Sequence, residues 1–177
     1  QVLEKAASDL GCRCISCSAG NPTYMTGSML LKQIKIAAHD PVLVMFDDNG
    51  ARGRGDGERS MYYIATHPDI EVLGAIAVAS NTRDVFGAPV DFSLDYHGRI
   101  VYHPVDKDGH VLPSKRLRIY GDTVDTLGIL KIPIVIGIGD IGKMHAHDHI
   151  RNGCPITKKA IQLILERSGF YEQRSTT

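Results

Sequence analysis

Two carboxylates stand directly after a continuous apolar run, a pattern that can supply ligands to a hard cation. Asp47 and Asp48 follow residues 41–46, and the chain continues into a glycine-rich stretch that carries Arg52 and Arg54. Carboxylate oxygens suit Mg²⁺ or Ca²⁺, whereas the two arginines and the glycine amides suit an anion. The alternative is a solvated turn whose aspartates bond local backbone. Asp47 and Asp48 are the candidate metal ligands, and the cofactor, if there is one, is left open.

A second candidate is the glycine-rich segment 137–144. It fits two phosphate-binding patterns at once, G-x-G-x-x-G and G-x-x-x-x-G-K. Both fits are incomplete, because Met144 stands where the second pattern needs Ser or Thr, and Asp140 would direct negative charge at a phosphate. A nucleotide loop, another ligand-facing turn and a purely structural turn all remain open. The candidate ligand-binding residues of this segment are Gly137, Gly139, Asp140, Gly142 and Lys143.

Three weaker signals complete the set. Asn21, in the polar loop 18–23, could offer an amide to a ligand or simply form a turn. His145 and His149 would share a face and could hold zinc if their segment were helical, although alternating surface histidines are usually solvated. Cys12, Cys14 and Cys17 are clustered, but free cysteines commonly act as small buried hydrophobes. A nucleophile elbow of the G-x-S-x-G type does not occur, so we identify no catalytic residue and expect a protein that is not an enzyme.

The elements that must position these residues alternate between strand and helix. Apolar runs at Cys12–Ser16, Pro41–Phe46, Val72–Ala79 and Ile132–Ile138 predict buried strands, and amphipathic segments lie between them. This order predicts an α/β fold, a three-layer αβα Rossmann-like arrangement with a mostly parallel sheet. Alternation around His97-Gly98 predicts an antiparallel β-hairpin insertion at about residues 90–112. Ligands in such folds bind at the carboxyl ends of the strands.

Length and charge limit the remaining possibilities. The 177 residues suit a single domain over 1–177. Lys and Arg number 20 and Asp and Glu number 20, so the basic excess that nucleic acids require is missing and we expect no nucleic-acid partner. No apolar run approaches the roughly 20 residues of a membrane span, which predicts no membrane insertion. The thiols lack a disulfide pattern, which indicates an intracellular protein.

Several segments in order resemble one family, the stage V sporulation protein AE family of endospore-forming bacteria. The resemblance extends over nearly the whole chain. It is carried by the blocks 13–16, 18–23, 40–48, 65–80, 120–125, 136–144 and 155–157, which read RCIS, SAGNPT, DPVLVMFDD, ATHPDIEVLGAIAVAS, YGDTVD, IGIGDIGKM and PIT.

The resemblance implies a role in sporulation and spore germination, in the machinery that moves dipicolinic acid and its calcium chelate across the spore inner membrane. This chain would be a soluble, non-enzymatic accessory subunit, peripheral to that membrane. Its partners would be other stage V sporulation A proteins, with a homo-oligomer left open. The family fold begins with a strand before the first helix, so that strand is expected upstream of Gln1. Two alternatives remain: a nucleotide- or phosphate-binding enzyme or switch with Mg²⁺ at Asp47 and Asp48, and a docking scaffold using the hairpin Val90–Tyr102.

Overall fold

Short strands alternate with helices along the chain. The computed structural model describes residues 1–16, 24–48, 55–81, 85–121 and 123–174. The helices are α1 (Val2–Asp9), α2 (Gly27–Lys35), α3 (Asp56–Ala65), α4 (Val124–Leu127), α5 (Pro155–Arg167) and α6 (Phe170–Arg174). The strands are β1 (Arg13–Cys14), β2 (Val42–Leu43), β3 (Ala75–Val78), β4 (Ala88–Pro89), β5 (Phe92–Leu94), β6 (Ile100–Val101), β7 (Arg118–Ile119) and β8 (Val135–Ile138). A 3₁₀ helix spans Ile150–Asn152.

The central sheet has four strands in the order β3-β8-β5-β6. Strand β8 pairs in parallel with β3, with Ala75 opposite Val135, and in parallel with β5. The outer strand β6 runs antiparallel to β5. Ile136 is buried in the core on one face, and Val135 packs against the core on the other, as expected for a strand that is covered on both faces.

Helices cover the two faces of this sheet. Helix α5 contributes Ile156, Ala160 and Ile164 to a core with the β8 side chains. On the other face, Val124 and Leu127 of α4 belong to a second core. A third cluster joins α1 to α5 through residues including Ala6, Ala7, Ile161 and Leu165. These layers place the carboxyl ends of β3 and β8 at one edge.

The other strands form two small sheets. Strands β1 and β2 pair in parallel, and β4 and β7 pair antiparallel. The mixed α/β class is therefore confirmed, whereas one continuous Rossmann-like three-layer sheet is not confirmed. The physical reason is that, in the part of the chain that the structure describes, β2 and β3 belong to different sheets.

The antiparallel hairpin is present around His97-Gly98. Asp95 closes its turn by accepting the amides of His97 and Arg99 at 2.9 and 2.8 Å. A second turn follows, where Val105 and Val111 form an isolated bridge. Because β5 also pairs with β8, the hairpin extends the central sheet.

Candidate functional site

A cleft of about 1080 Å³ lies between β2 and β3. Residues 41–47 form one wall and residues 71–80 form the other. Helical side chains close it from both faces. On one side these are Leu3, Ile161, Ile164, Leu165 and Phe170, and on the other Met61, Ile64 and Leu127. The cleft is thus a slot in the plane of the sheets, with mainly apolar walls.

Both strands that border the slot are paired on their far side. The amides of Ala75 and Ala79 donate to Ile134 and Ile138 at 2.9 Å, toward β8. Backbone groups alternate in direction along a strand, so those of Ile76 and Val78 point away from β8. On the other wall, Pro41 and Leu43 accept from β1, and the intervening Val42 faces the slot. Two strand edges therefore border the cleft.

The mouth of the cleft collects residues from three strand ends. Asp47 follows β2, Ser80 follows β3 and Asp140 follows β8, and all three line the cleft together with Thr123. Asp47 and Asp140, which the sequence placed in separate candidate segments, thus line the same cleft. This edge is where the carboxyl ends of parallel strands create ligand sites.

Asp48 has a different position from Asp47. It is 4% exposed and accepts the amides of Gly57 and Glu58 at 2.6 and 2.9 Å. These donors belong to the first turn of α3, whose amides lack partners within the helix. Asp48 therefore caps α3. The sequence analysis offered a solvated turn with local backbone bonds as the alternative to a metal site, whereas Asp48 is buried and its donors belong to the following helix.

Glu58 is a buried acid that the sequence analysis did not single out. Burial raises the pKa of its carboxyl group, hydrogen bonds with Thr126 lower it, and the neighbouring Asp48 and Asp125 raise it, with a raised pKa as the net result. In the sequence, its position in the first turn of a helix is one that exposed glutamates commonly occupy. Its burial results from the packing of α3 against α4, which the sequence pattern does not show.

The glycine-rich segment after β8 forms a tight turn in which three amides donate to other groups of the protein. The amide of Asp140 donates to Lys107 O at 2.7 Å, that of Gly142 to Asp148 Oδ2 at 2.9 Å, and that of Lys143 to Asp140 O at 3.1 Å. A phosphate cradle needs such amides to be open toward the ligand. The geometry therefore favours the interpretation as a structural or ligand-facing turn over a nucleotide loop.

The glycines of this segment permit close packing. A Cβ atom at Gly139 would lie 2.7 Å from Lys107 O and 2.8 Å from Met144 Cγ, and one at Gly137 would lie 2.6 Å from Ile119 Cγ1. Gly142 has a φ of +75°. Each glycine thus has a packing or conformational reason, and a ligand role for Gly137, Gly139 and Gly142 stays a prediction.

Lys143 forms an ion pair at the surface. Its Nζ lies 2.7 Å from Asp140 Oδ2, and the lysine side chain is 74% exposed. The hydrogen bond with Asp140 raises the pKa of Lys143. Asp140 reaches the cleft mouth, whereas Lys143 is not among the residues that line it.

The segment 144–149 is not a helix. Met144, His145 and Ala146 have φ values of 47°, 51° and 68°, a left-handed turn that is costly for non-glycine residues. His145 and His149 therefore do not share a helical face. His149 Nδ1 instead accepts the Arg151 amide at 3.1 Å and begins the 3₁₀ helix.

Asp148 is the most completely buried acid of this region, and the sequence analysis missed it. It is 0% exposed and accepts four hydrogen bonds, from the amides of Gly142, Ile156 and Thr157 and from the Thr157 hydroxyl. It caps α5 from outside the helix, so no local capping pattern could reveal it.

The remaining candidate site residues from the sequence are Asn21, the two arginines and the cysteines. Asn21, Arg52, Arg54 and Cys17 lie outside the described residues. Cys12 and Cys154 are buried, and burial raises the pKa of both thiols. Among the helices that the structure describes, none is long and apolar enough to cross a membrane.

The fold and the cleft define a mixed α/β protein with an acidic mouth at its strand ends. A sequence model of the SpoVAE family, described as stage V sporulation protein AE1, matches residues 1–168, so the chain belongs to this family. The family is a sporulation family and not a known enzyme family. No curated protein and no solved structure matches the chain.

Proposed function

We propose that this chain is a non-enzymatic accessory subunit of the spore inner-membrane machinery that moves dipicolinic acid and its calcium chelate. It acts in sporulation and spore germination, inside the cell and peripheral to that membrane, with other stage V sporulation A proteins as partners. The family match over residues 1–168 is the observation that carries the proposal.

The geometry of the candidate residues supports binding rather than catalysis. Asp48 caps α3, and three amides of the glycine-rich turn, those of Asp140, Gly142 and Lys143, bond to the protein itself. Asp47 and Asp140 stand at the mouth of the cleft, where their oxygens suit a hard cation. Calcium dipicolinate carries such a cation, and Lys143 beside Asp140 offers a positive charge to its carboxylates.

Thermal unfolding of the protein tests this ligand class. We expect calcium dipicolinate to raise the melting temperature by mass action, and Ca²⁺ alone, dipicolinate alone and Mg-ATP to have smaller effects. Asp140→Asn and Lys143→Ala should reduce the shift. Lys115→Ala removes an exposed lysine elsewhere and should preserve it. A shift with Mg-ATP alone would instead support the nucleotide-binding alternative, and no shift with any ligand would refute the proposed site.

Deletion of the gene in the spore-forming host tests the cellular role. We expect altered dipicolinate content or altered germination kinetics, with complementation by the wild-type chain. Complementation by the Asp140→Asn variant would separate the subunit's role from the ligand site. Spores with unchanged dipicolinate content and unchanged germination would contradict the proposed role.

A second candidate function is protein docking at the hairpin. Strand β6 is the outer strand of the central sheet, and Tyr102 beside it is 69% exposed. Edge strands can pair with a strand of another protein. Ile100→Lys with Tyr102→Glu should then disrupt co-purification with the other stage V sporulation A proteins, whereas intact assembly would exclude this surface.

We also propose that a β-strand from outside residues 1–177 fills the slot between β2 and β3, as the resemblance leads us to expect for the strand before α1. Residues 41–47 and 71–80 form the two walls of the slot. A strand between these walls would lie about 4.8 Å from each of them and could pair with both. Hydrogen exchange at Ile76 and Val78 should slow when the upstream segment is present, and equal exchange rates would refute this assignment.

A further inference from the structure

A cluster of imidazole rings lies on the surface beside the hairpin, outside the set of residues that line the cleft. The ring of Tyr96 contacts His97, His110 and His147, with centroid distances of 4.1, 5.1 and 5.1 Å. The ring of His145 lies 5.6 Å from that of His110. Residues from the hairpin, the following turn and the segment after β8 thus meet at one place.

Two of these histidines and a neighbouring aspartate present metal-ligand atoms to one another. Asp108, His110 and His145 each offer one such atom, and the three atoms all lie within 4.8 Å of one another. The Nε2 atom of His145 is 3.8 Å from Oδ1 of Asp108. Ligand atoms around a tetrahedral zinc ion are about 3.3 Å apart, so small rotations of these half-buried or exposed side chains close the arrangement.

The backbone holds the two contributing segments in fixed register. The Asp106 carboxylate accepts the amides of Asp108 and His110 at 2.9 Å each. Lys107 O accepts the Asp140 amide at 2.7 Å, which ties this turn to the segment after β8. The turn that carries Asp108 and His110 is therefore held in place relative to the segment that carries His145.

The conformation of His145 is set by its neighbours. It lies in the left-handed turn, next to Met144, whose side chain is 0% exposed. The buried methionine anchors this turn in the core that contains Ile138 and Ile156. His145 is 64% exposed, so its ring reaches Asp108 from a rigid support.

We propose that Asp108, His110 and His145 bind one Zn²⁺ ion. Two imidazoles and one carboxylate are a ligand set that zinc uses, with a fourth position open to water or to an incoming anion. Asp106 acts as a positioning residue, because its Oδ2 lies 3.5 Å from Nδ1 of His110. A carboxylate at that nitrogen orients a ligating histidine and leaves Nε2 for the metal. None of the three proposed ligands lines the cleft, although the turn that carries Asp108 adjoins Asp140 at the cleft mouth, and the proposal does not rest on the proposed function.

Metal binding to the full-length, metal-free protein tests the proposal. Zn²⁺ is titrated by calorimetry, and Co²⁺ is used as a spectroscopic probe whose visible absorption reports a tetrahedral site. We expect one ion per chain. His110→Ala, His145→Ala and Asp108→Ala should each weaken binding about 100-fold or more, and Asp106→Asn about tenfold. The matched control is His103→Ala, which removes an exposed histidine outside the cluster and should leave the affinity unchanged.

Each other outcome overturns the site. The absence of stoichiometric binding, or affinities unchanged in all three ligand variants, would exclude it. A Co²⁺ spectrum with a thiolate charge-transfer band that disappears after cysteine alkylation would assign the metal to the thiols. Circular dichroism of each variant distinguishes a lost ligand from a lost fold.

Discussion

Asp148 and Thr157 are joined by two hydrogen bonds, with the Thr157 amide 2.9 Å from Oδ1 and its hydroxyl 2.5 Å from Oδ2. The same carboxylate also accepts the Gly142 amide at 2.9 Å. One buried side chain thus links the first turn of α5 to the glycine-rich turn after β8. The orientation of that turn therefore depends on a residue outside it.

The first prediction concerns this link. Asp148→Ala should lower the free energy of unfolding by about 3 kcal/mol or more, because it leaves several buried donors unsatisfied. Thr157→Val removes only the hydroxyl donor and should cost about 1–2 kcal/mol. Urea denaturation measures both, with Asp56→Ala, an exposed aspartate in a surface ion pair, as the control. An Asp148→Ala effect no larger than that of the control would contradict the capping role.

The second prediction concerns close packing at Gly139. Gly139→Ala should cost about 1–3 kcal/mol, because the added Cβ would meet Lys107 O and Gly109 N. The same displacement should weaken zinc binding, since it separates the turn that carries Asp108 from the segment that carries His145. Gly153→Ala meets no atom closer than 3.6 Å and suffers only from its φ of +78°, about 1 kcal/mol. If Gly139→Ala destabilised the protein no more than Gly153→Ala and left the zinc affinity unchanged, the close packing at Gly139 would be contradicted.

The third prediction concerns the pH dependence that Glu58 introduces. Its pKa is raised above the ordinary value of 4.5, so the folded state binds its proton more tightly than the unfolded state. Its contribution to stability is present below pH 4.5 and is lost as the pH rises through the folded pKa. Glu58→Gln should therefore be more stable than wild type at neutral pH. The difference in free energy of unfolding between the variant and wild type should become smaller near pH 4. Urea midpoints between pH 4 and 8 measure this, and parallel profiles would refute it.

The fourth prediction has the opposite sign and concerns Asp95. Burial opposes ionisation of this carboxyl, but hydrogen bonds from Arg99 and His97 outweigh burial and lower its pKa below 3.8. The stabilisation is present above pH 3.8 and is lost as the pH falls through the folded pKa. Asp95→Asn should destabilise the protein at neutral pH, with a difference from wild type that narrows below pH 3.8. A difference that is independent of pH would show that shape, not charge, matters at this position.

The spacing of apolar residues predicted the positions of helices and strands better than it predicted the residues at which they begin and end. Val2, Leu3, Ala6 and Ala7 have helical spacing and lie in α1, which ends at Asp9. The strand expected over Ile132–Ile138 begins only at Val135, since Pro133 lacks the amide that a paired strand needs. Helix α5 begins at Pro155, because proline favours the first helical position.

The candidate site was only partly accessible to sequence reasoning. The rule that ligands gather at strand ends directed attention to Asp47 and Asp140. Both line one cleft in the structure, and a ligand there stays a prediction. The zinc cluster escaped it, because Asp108 and His145 lie far apart in sequence and meet only through tertiary packing. The run of histidines attracted attention to His149, whereas the partner of His145 is His110. Spacing rules predict which residues are neighbours within one helix or strand. They do not predict which residues of two separate turns come into contact.

The slot between β2 and β3 has a consequence for how residues 1–177 behave when nothing fills it. Its two walls present strand edges, and an open strand edge is a template for pairing with another molecule. Chains with an empty slot should therefore exchange strands or associate as their concentration rises. Chains with a filled slot have these edges satisfied, and their self-association then depends on the outer strands alone.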